Sequence, residues 1–212
     1  MKDLKLLVGK DEKILYEGKP KKICYIFESI FNPLLPFAII WGLFDFFIIG
    51  QAFTNGAEEA GLGIFLIGFF LFHLMPVWLY LGGILFTFRK YRNTNYIVTD
   101  RAIYISSGIF AKQYNTKSFA EMSNVNLHRG IFDQIFNVGD IILTSNQLID
   151  ATVTSNGHTN FTVATTKLDS ISNYAEMFSM IKKLQQDIYT DVMYPNDKRP
   201  TENHGYNTEY KG

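Results

Sequence analysis

The chain has 212 residues, with 20 Lys and Arg against 20 Asp and Glu, and a single cysteine, Cys24. A formal net charge of zero supplies no global field for nucleic acid or acidic substrates, so no nucleic-acid partner is expected. One cysteine excludes an intrachain disulfide framework and argues against a cysteine-based metal site, and the length suits one ordinary domain with additions.

Residues 1–33 mix lysines with acids. Ile14 to Pro20 reads as a short strand and turn, and Asn32-Pro33 as a boundary, because the residue before proline avoids helical angles. The apolar runs begin too late for a cleavable signal peptide, so the first of them is expected to stay in the mature protein.

Two apolar segments follow. Leu34 to Phe53 carries one charge, Asp45, and Leu62 to Phe86 carries no formal charge apart from that of a protonated His73. Twenty helical residues at about 1.5 Å each span roughly 30 Å, the thickness of a bilayer core. Neither run has the polar face of a soluble helix. Both are therefore expected to be transmembrane helices, at residues 34–53 and 62–86. Pro76 should kink the second. The link, residues 54–61, is too short to join anything but antiparallel neighbours, so the pair should form a hairpin. That link holds Glu58 and Glu59 and no cation, whereas Lys19, Lys21 and Lys22 precede the first run and Arg89, Lys90 and Arg92 follow the second. Positive flanks stay in the cytoplasm, which places both termini inside a multi-pass inner-membrane protein and the acidic link outside.

A carboxylate at the bilayer centre costs about 2.5–3.5 kcal/mol and normally has a partner. Asp45 and His73 each sit in mid-segment, so His73 is the natural partner and the two form a candidate intramembrane polar contact. Arg89, Lys90 and Arg92 are candidate contacts to anionic lipid at the membrane surface.

From Tyr96 the pattern turns to short strands. Tyr96 to Thr99, Ala102 to Ser106, Ile109 to Tyr114, Lys117 to Leu127, Asp140 to Ser145, Ile149 to Thr154 and Thr159 to Thr165 are the expected strands, with a hairpin turn at Asn156-Gly157. An amphipathic helix is expected from about Ser170 to Ile188, with Ile171, Tyr174, Phe178, Ile181, Leu184 and Ile188 on one stripe and Asp169 or Ser170 as its cap. Residues 194–212 hold no Leu, Ile or Val and are expected to be disordered.

Tyr96, Thr99, Arg101 and Gly108, and then Gly130, Ile131, Phe132, Ile135, Phe136, Val138 and Gly139, carry a resemblance. The run resembles the bacterial pleckstrin-homology (PH) domain of YdbS-like membrane proteins. Two positions depart from the family pattern. Gln134 replaces a usual Arg, which removes a charge, and Asn137 replaces a usual Gly, a mild change because Asn tolerates left-handed backbone angles. The resemblance covers roughly residues 95–188. It implies an α+β membrane protein in which the hairpin is followed by a PH-like seven-stranded β-barrel or sandwich capped by one C-terminal helix. It implies an interaction or scaffold role rather than a reaction.

The remaining motifs are sparse. Lys112 and Lys117 flank a strand connection but make a poor phosphate site. No phosphate loop, nucleophile elbow or metal-ligand spacing occurs, so no catalytic residue, cofactor or metal is expected. The expected function is a membrane-anchored, non-enzymatic interaction module at the inner face of the cytoplasmic membrane. The alternative is an accessory subunit of a membrane transport or export complex that binds through its hairpin. Expected partners are the bilayer and an unidentified membrane or cytoplasmic protein, with a homo-oligomer also compatible.

Overall fold

The computed structural model describes residues 1–54, 60–153 and 159–193. The link at 55–59, the Asn156-Gly157 turn and the C-terminal tail lie outside the described residues. The chain divides into two compact units. One joins Met1–Tyr25 to the chain from Asn93 onward, and the other is Ile26–Arg92.

The first unit begins with a short helix, α1 (Lys2–Lys5), and a strand, β1 (Ile14–Gly18). After the second unit come β2 (Asn95–Thr99), β3 (Ala102–Ser107) and β4 (Gln113–Ser118). These four form one antiparallel sheet in the order β1-β2-β3-β4. A second antiparallel sheet holds β5 (Met122–His128), β6 (Gly139–Val153) and β7 (Thr159–Ile171). A short helix, α6 (Ile131–Ile135), lies between β5 and β6, and α7 (Tyr174–Met193) closes the unit.

Seven strands are thus present among the described residues, but they do not close into a barrel. They form an open pair of sheets around one core. Strand alternation sends Tyr96, Val98, Ile103 and Ile105 into that core from the first sheet, and Val125, Ile141, Leu143 and Leu168 from the second. Met177, Ile181 and Leu184, spaced four and three apart on α7, complete it. A smaller cluster of Leu4, Ile97, Ala102 and Tyr104 covers the other face of the first sheet.

Several boundaries differ from the sequence reading, each for a local reason. The predicted strand at Ile109 to Tyr114 is largely a turn. Gly108 there adopts φ +130°, a conformation that side-chain-bearing residues rarely take, and β4 starts only at Gln113. The predicted run from Lys117 to Leu127 is broken by a 3₁₀ turn at Phe119–Glu121, whose entry Ser118 caps by accepting from Ala120 N. The two predicted strands between Asp140 and Thr154 are one strand, β6, with a register irregularity between Thr144 and Leu148. The C-terminal helix starts at Tyr174 because β7 runs on to Ile171, so Asp169 and Ser170 are strand residues rather than caps.

In the second unit, α3 (Leu34–Thr54) is followed by α4 (Ala60–His73) and α5 (Met75–Asn93). The predicted second span is therefore two helices, bent by 56° at Leu74. Pro76 accounts for the break, since it has no N–H and its ring collides with the carbonyl four residues back. The α3 stretch Leu34–Ala52 is long and apolar enough to cross a membrane, and Ile64–His73 with Met75–Asn93 qualifies only as a bent pair. A further helix, α2 (Lys22–Ile30), leads from the first unit into α3.

Candidate functional site

The break between α4 and α5 organises the polar chemistry of the apolar helices. Val77 N bonds back to Leu74 O at 2.9 Å, a tight three-residue turn. The His73 carbonyl is instead taken by the Trp41 indole N–H, at 2.8 Å. The His73 ring lies between two aromatic rings, Trp41 at 5.0 Å and Phe69 at 5.1 Å, both stacked. His73 Nδ1 is 2.8 Å from Asp45 Oδ1, and the Asp45 side chain is fully buried. Asp45 Oδ2 is buried with no hydrogen-bond partner among the described residues. Asp45 and His73 are thus together in one node, joined by Trp41 four residues before Asp45 on the same helical face. That shared face was the one sequence signal for Trp41, and the sequence reading gave it no role.

Arg89, Lys90 and Arg92 lie elsewhere, all exposed near the C-terminal end of α5. Cations there complement the partial negative charge of a helix C-terminus.

In the first unit, the motif from Gly130 to Gly139 folds as a latch around α6. Asp133 is fully buried, and its carboxylate accepts from Gly130 N at 2.8 Å and from the Cys24 thiol at 3.5 Å. Arg129 donates to Val138 O at 2.8 Å and lays its guanidinium 4.3 Å over the Tyr174 ring. Lys21 Nζ donates to Phe136 O at 2.8 Å. Asn137 takes φ +50°, the left-handed angle that the usual glycine of this motif would favour. Gln134, in the place of the usual arginine, reaches Arg129 O at 3.4 Å. The motif is therefore a structural closure, with its polar groups spent inside the fold.

A second buried network ties the end of β7 to β6. Asp140 accepts from Ser170 N at 2.7 Å and pairs with Lys167 Nζ at 2.7 Å, while Asp169 holds the same ammonium at 3.1 Å. Burial alone would lower the Lys167 ammonium, and the two carboxylates more than offset it, leaving it above its ordinary value. Ser170 itself has φ +50°, a left-handed angle uncommon for serine. Lys112, beside the strand connection that made a poor phosphate site, pairs with Asp3 at 2.7 Å.

A model of the bacterial PH domain family matches residues 44–175, more than half of the chain. The chain belongs to that family. No curated protein and no solved structure matches it. The matched span of this bacterial PH protein starts inside α3 and ends inside α7, so it takes in α4 and α5 as well as β2 to β7. PH domains are in general binding modules for lipids or proteins rather than catalysts.

The buried phenols make a testable consequence. Burial, with Asp169 nearby, holds Tyr96 well above the usual tyrosine value. Burial and then the hydrogen bond to Glu12 push Tyr104 up to about 12, and burial also raises Tyr16. The folded state thus keeps protons that the unfolded chain releases near pH 10, so stability is full below about pH 10 and falls as pH climbs toward 12. Alkaline titration should show tyrosinate absorbance rising together with loss of circular dichroism. Ionisation of all these tyrosines at ordinary values with the fold intact would contradict this.

Proposed function

We propose that the chain is a membrane-anchored bacterial PH protein that acts as a non-enzymatic interaction module at the inner face of the cytoplasmic membrane. In this reading α3 and the bent pair α4–α5 cross the bilayer as a hairpin, with both termini in the cytoplasm. The observation that carries the reading is the surface of the apolar helices. Ile40, Phe46, Phe47, Phe72 and Leu85 all stand exposed, whereas the carboxylate of Asp45 is turned inward onto His73. That inversion of the usual soluble arrangement is stable in hydrocarbon and costly in water. Further support comes from the cations on the outer flanks of the helices and the acids of the link between them.

The test is topological. Membranes from expressing cells are washed with carbonate, and cysteines introduced at Glu58 or Arg101, with the buried Cys24 of the unsubstituted chain as background, are labelled from outside intact cells with an impermeant thiol reagent. The chain should stay in the pellet, with Glu58→Cys labelled and Arg101→Cys protected. Release into the wash, or the reverse labelling, would remove the anchor from the function.

A further inference from the structure

His73 has one ring nitrogen to spare. Its Nδ1 edge is turned to Asp45, and its two faces are covered by the rings of Trp41 and Phe69. The side chain is nevertheless 29% exposed, so the open part is the far edge of the ring, which carries Nε2. Nε2 has no hydrogen-bond partner among the described residues. Behind it, Asp45 Oδ2 is buried and also without a partner among them. A polar atom left unpartnered in apolar surroundings is costly, and an open Nε2 can recover that cost by binding a ligand.

The arrangement is that of an imidazole prepared for a metal. A carboxylate on one ring nitrogen fixes the orientation of the ring and makes the other nitrogen a stronger electron-pair donor. A metal at Nε2 selects the tautomer with the proton on Nδ1, which is the form that donates to Asp45. The stacked rings of Trp41 and Phe69 keep the imidazole from turning, and Trp41 Nε1 donates to His73 O at 2.8 Å, holding the backbone at the helix break. The number of donors then chooses the metal. Among the described residues no further His, Cys, Asp or Glu joins Asp45 and His73 in a ligand group. A bare zinc or copper ion needs several protein donors. An iron porphyrin brings its own equatorial nitrogens and needs only an axial imidazole from the protein. Its macrocycle is flat and apolar. Phe69 and Phe65 lie one and two turns before His73 on the same face of α4, 48% and 67% exposed, and offer such a ring an apolar surface.

We propose that His73 is the axial ligand of an iron porphyrin, a haem, held on the apolar helices, with Asp45 as the positioning residue behind it. The bond that forms is Nε2–Fe. Nε2 supplies the electron pair, the water or hydroxide previously on the iron leaves, and no oxidation state changes. The inference rests on the anchoring reading, because a flat apolar cofactor on an open helix face needs hydrocarbon around it. It goes beyond that reading by giving the apolar helices a ligand of their own.

The experiment adds ferric haem to the full chain in phosphatidylcholine vesicles, with protein-free vesicles as the reference. The other histidines are His128, His158 and His204. A chain carrying His128→Gln, His158→Gln and His204→Gln together should keep a saturable, red-shifted Soret band of imidazole-bound iron. His73→Gln, whose amide still donates to Asp45, should lose it. Asp45→Asn should weaken haem affinity by about 10–100-fold and raise the midpoint potential of the bound iron, since less electron density reaches Nε2. A purely structural contact would leave that potential where it was. A Soret band that survives His73→Gln, or that disappears when the other histidines are replaced, overturns the axial role. An unchanged potential in Asp45→Asn overturns the role given to Asp45. A spectrum identical to that of protein-free vesicles, in a parent chain that floats with the vesicles after carbonate, overturns the site and leaves the anchor standing. A chain that does not float overturns the anchor, and the site with it.

Discussion

Residues 93–193 expressed alone are expected to lose cooperative folding, and joining residues 1–25 to them is expected to restore it. The strand β2 is buried along its whole length, and β1 is what covers one edge of it. Removing β1 leaves a row of unpaired N–H and C=O groups on a flat apolar edge, which invites aggregation. The loss extends past the ladder. Glu12 accepts from Thr99 at 2.6 Å and from Tyr104 at 2.8 Å, Lys13 and Asp100 exchange two bonds, and Lys21 N donates to Ser170 O. Leu4, fully buried over Ile97 and Tyr104, contributes about 2–3 kcal/mol by burial alone. Each hydrogen bond adds about 1 kcal/mol net, so the total lost exceeds about 5 kcal/mol. That is comparable with the entire stability of a small domain, about 5–15 kcal/mol. A flexible Gly/Ser linker of about 20 residues, spanning roughly 25 Å, replaces residues 26–92 in the joined chain. Urea unfolding should be sigmoidal for the joined chain and broad for residues 93–193. Coincident, sharp transitions for both would show that β1 is dispensable.

The role of β1 explains where sequence reading stops. Residues 14–20 do read locally as a strand, but pairing Gly18 with Tyr96 bridges the whole apolar region, and no periodicity within either segment records a partner so far away. The buried acids were hidden for a related reason. Asp133 reads as an ordinary turn residue and Asp140 as the start of a strand, and both become buried because Cys24, Ser170 N and Lys167 converge on them from distant parts of the chain. Backbone signals were easier to see, since Gly108 and Asn137 are residue types that tolerate φ > 0 and both adopt it. The helix break was likewise visible as Pro76. Strand lengths were not, because the polar residues along β6 and β7 imitate turns. The α7 stripe was legible in part. Ile181 and Leu184 are in the core and Tyr174, Phe178 and Ile188 pack against it, while Ile171 also lies in the core but belongs to β7 rather than to the helix.

Within the apolar helices, substituting His73 should destabilise the unit more than substituting Asp45. The two side chains make one contact of 2.8 Å, yet their surroundings are unequal. Asp45 is wholly enclosed, and His73 is partly exposed. In His73→Ala the buried Asp45 side chain is left with both oxygens unpartnered, and leaving a buried polar group unsatisfied costs about 1–3 kcal/mol. The same change empties the space between Trp41 and Phe69, which adds lost stacking of about 0.5–1.5 kcal/mol per ring pair. In Asp45→Ala the imidazole keeps its stacking on both rings, so the cost falls to about 1–2 kcal/mol, that of one lost hydrogen bond and a small cavity. Removing both residues should cost less than the sum of the single losses, because the stranded carboxylate is then gone. Unfolding of the four chains by sodium dodecyl sulfate in mixed micelles, followed by Trp41 and Trp78 fluorescence, measures each step of this cycle. Equal losses for the two single substitutions, or additive losses in the double one, would mean that Asp45 and His73 lie close together without supporting each other.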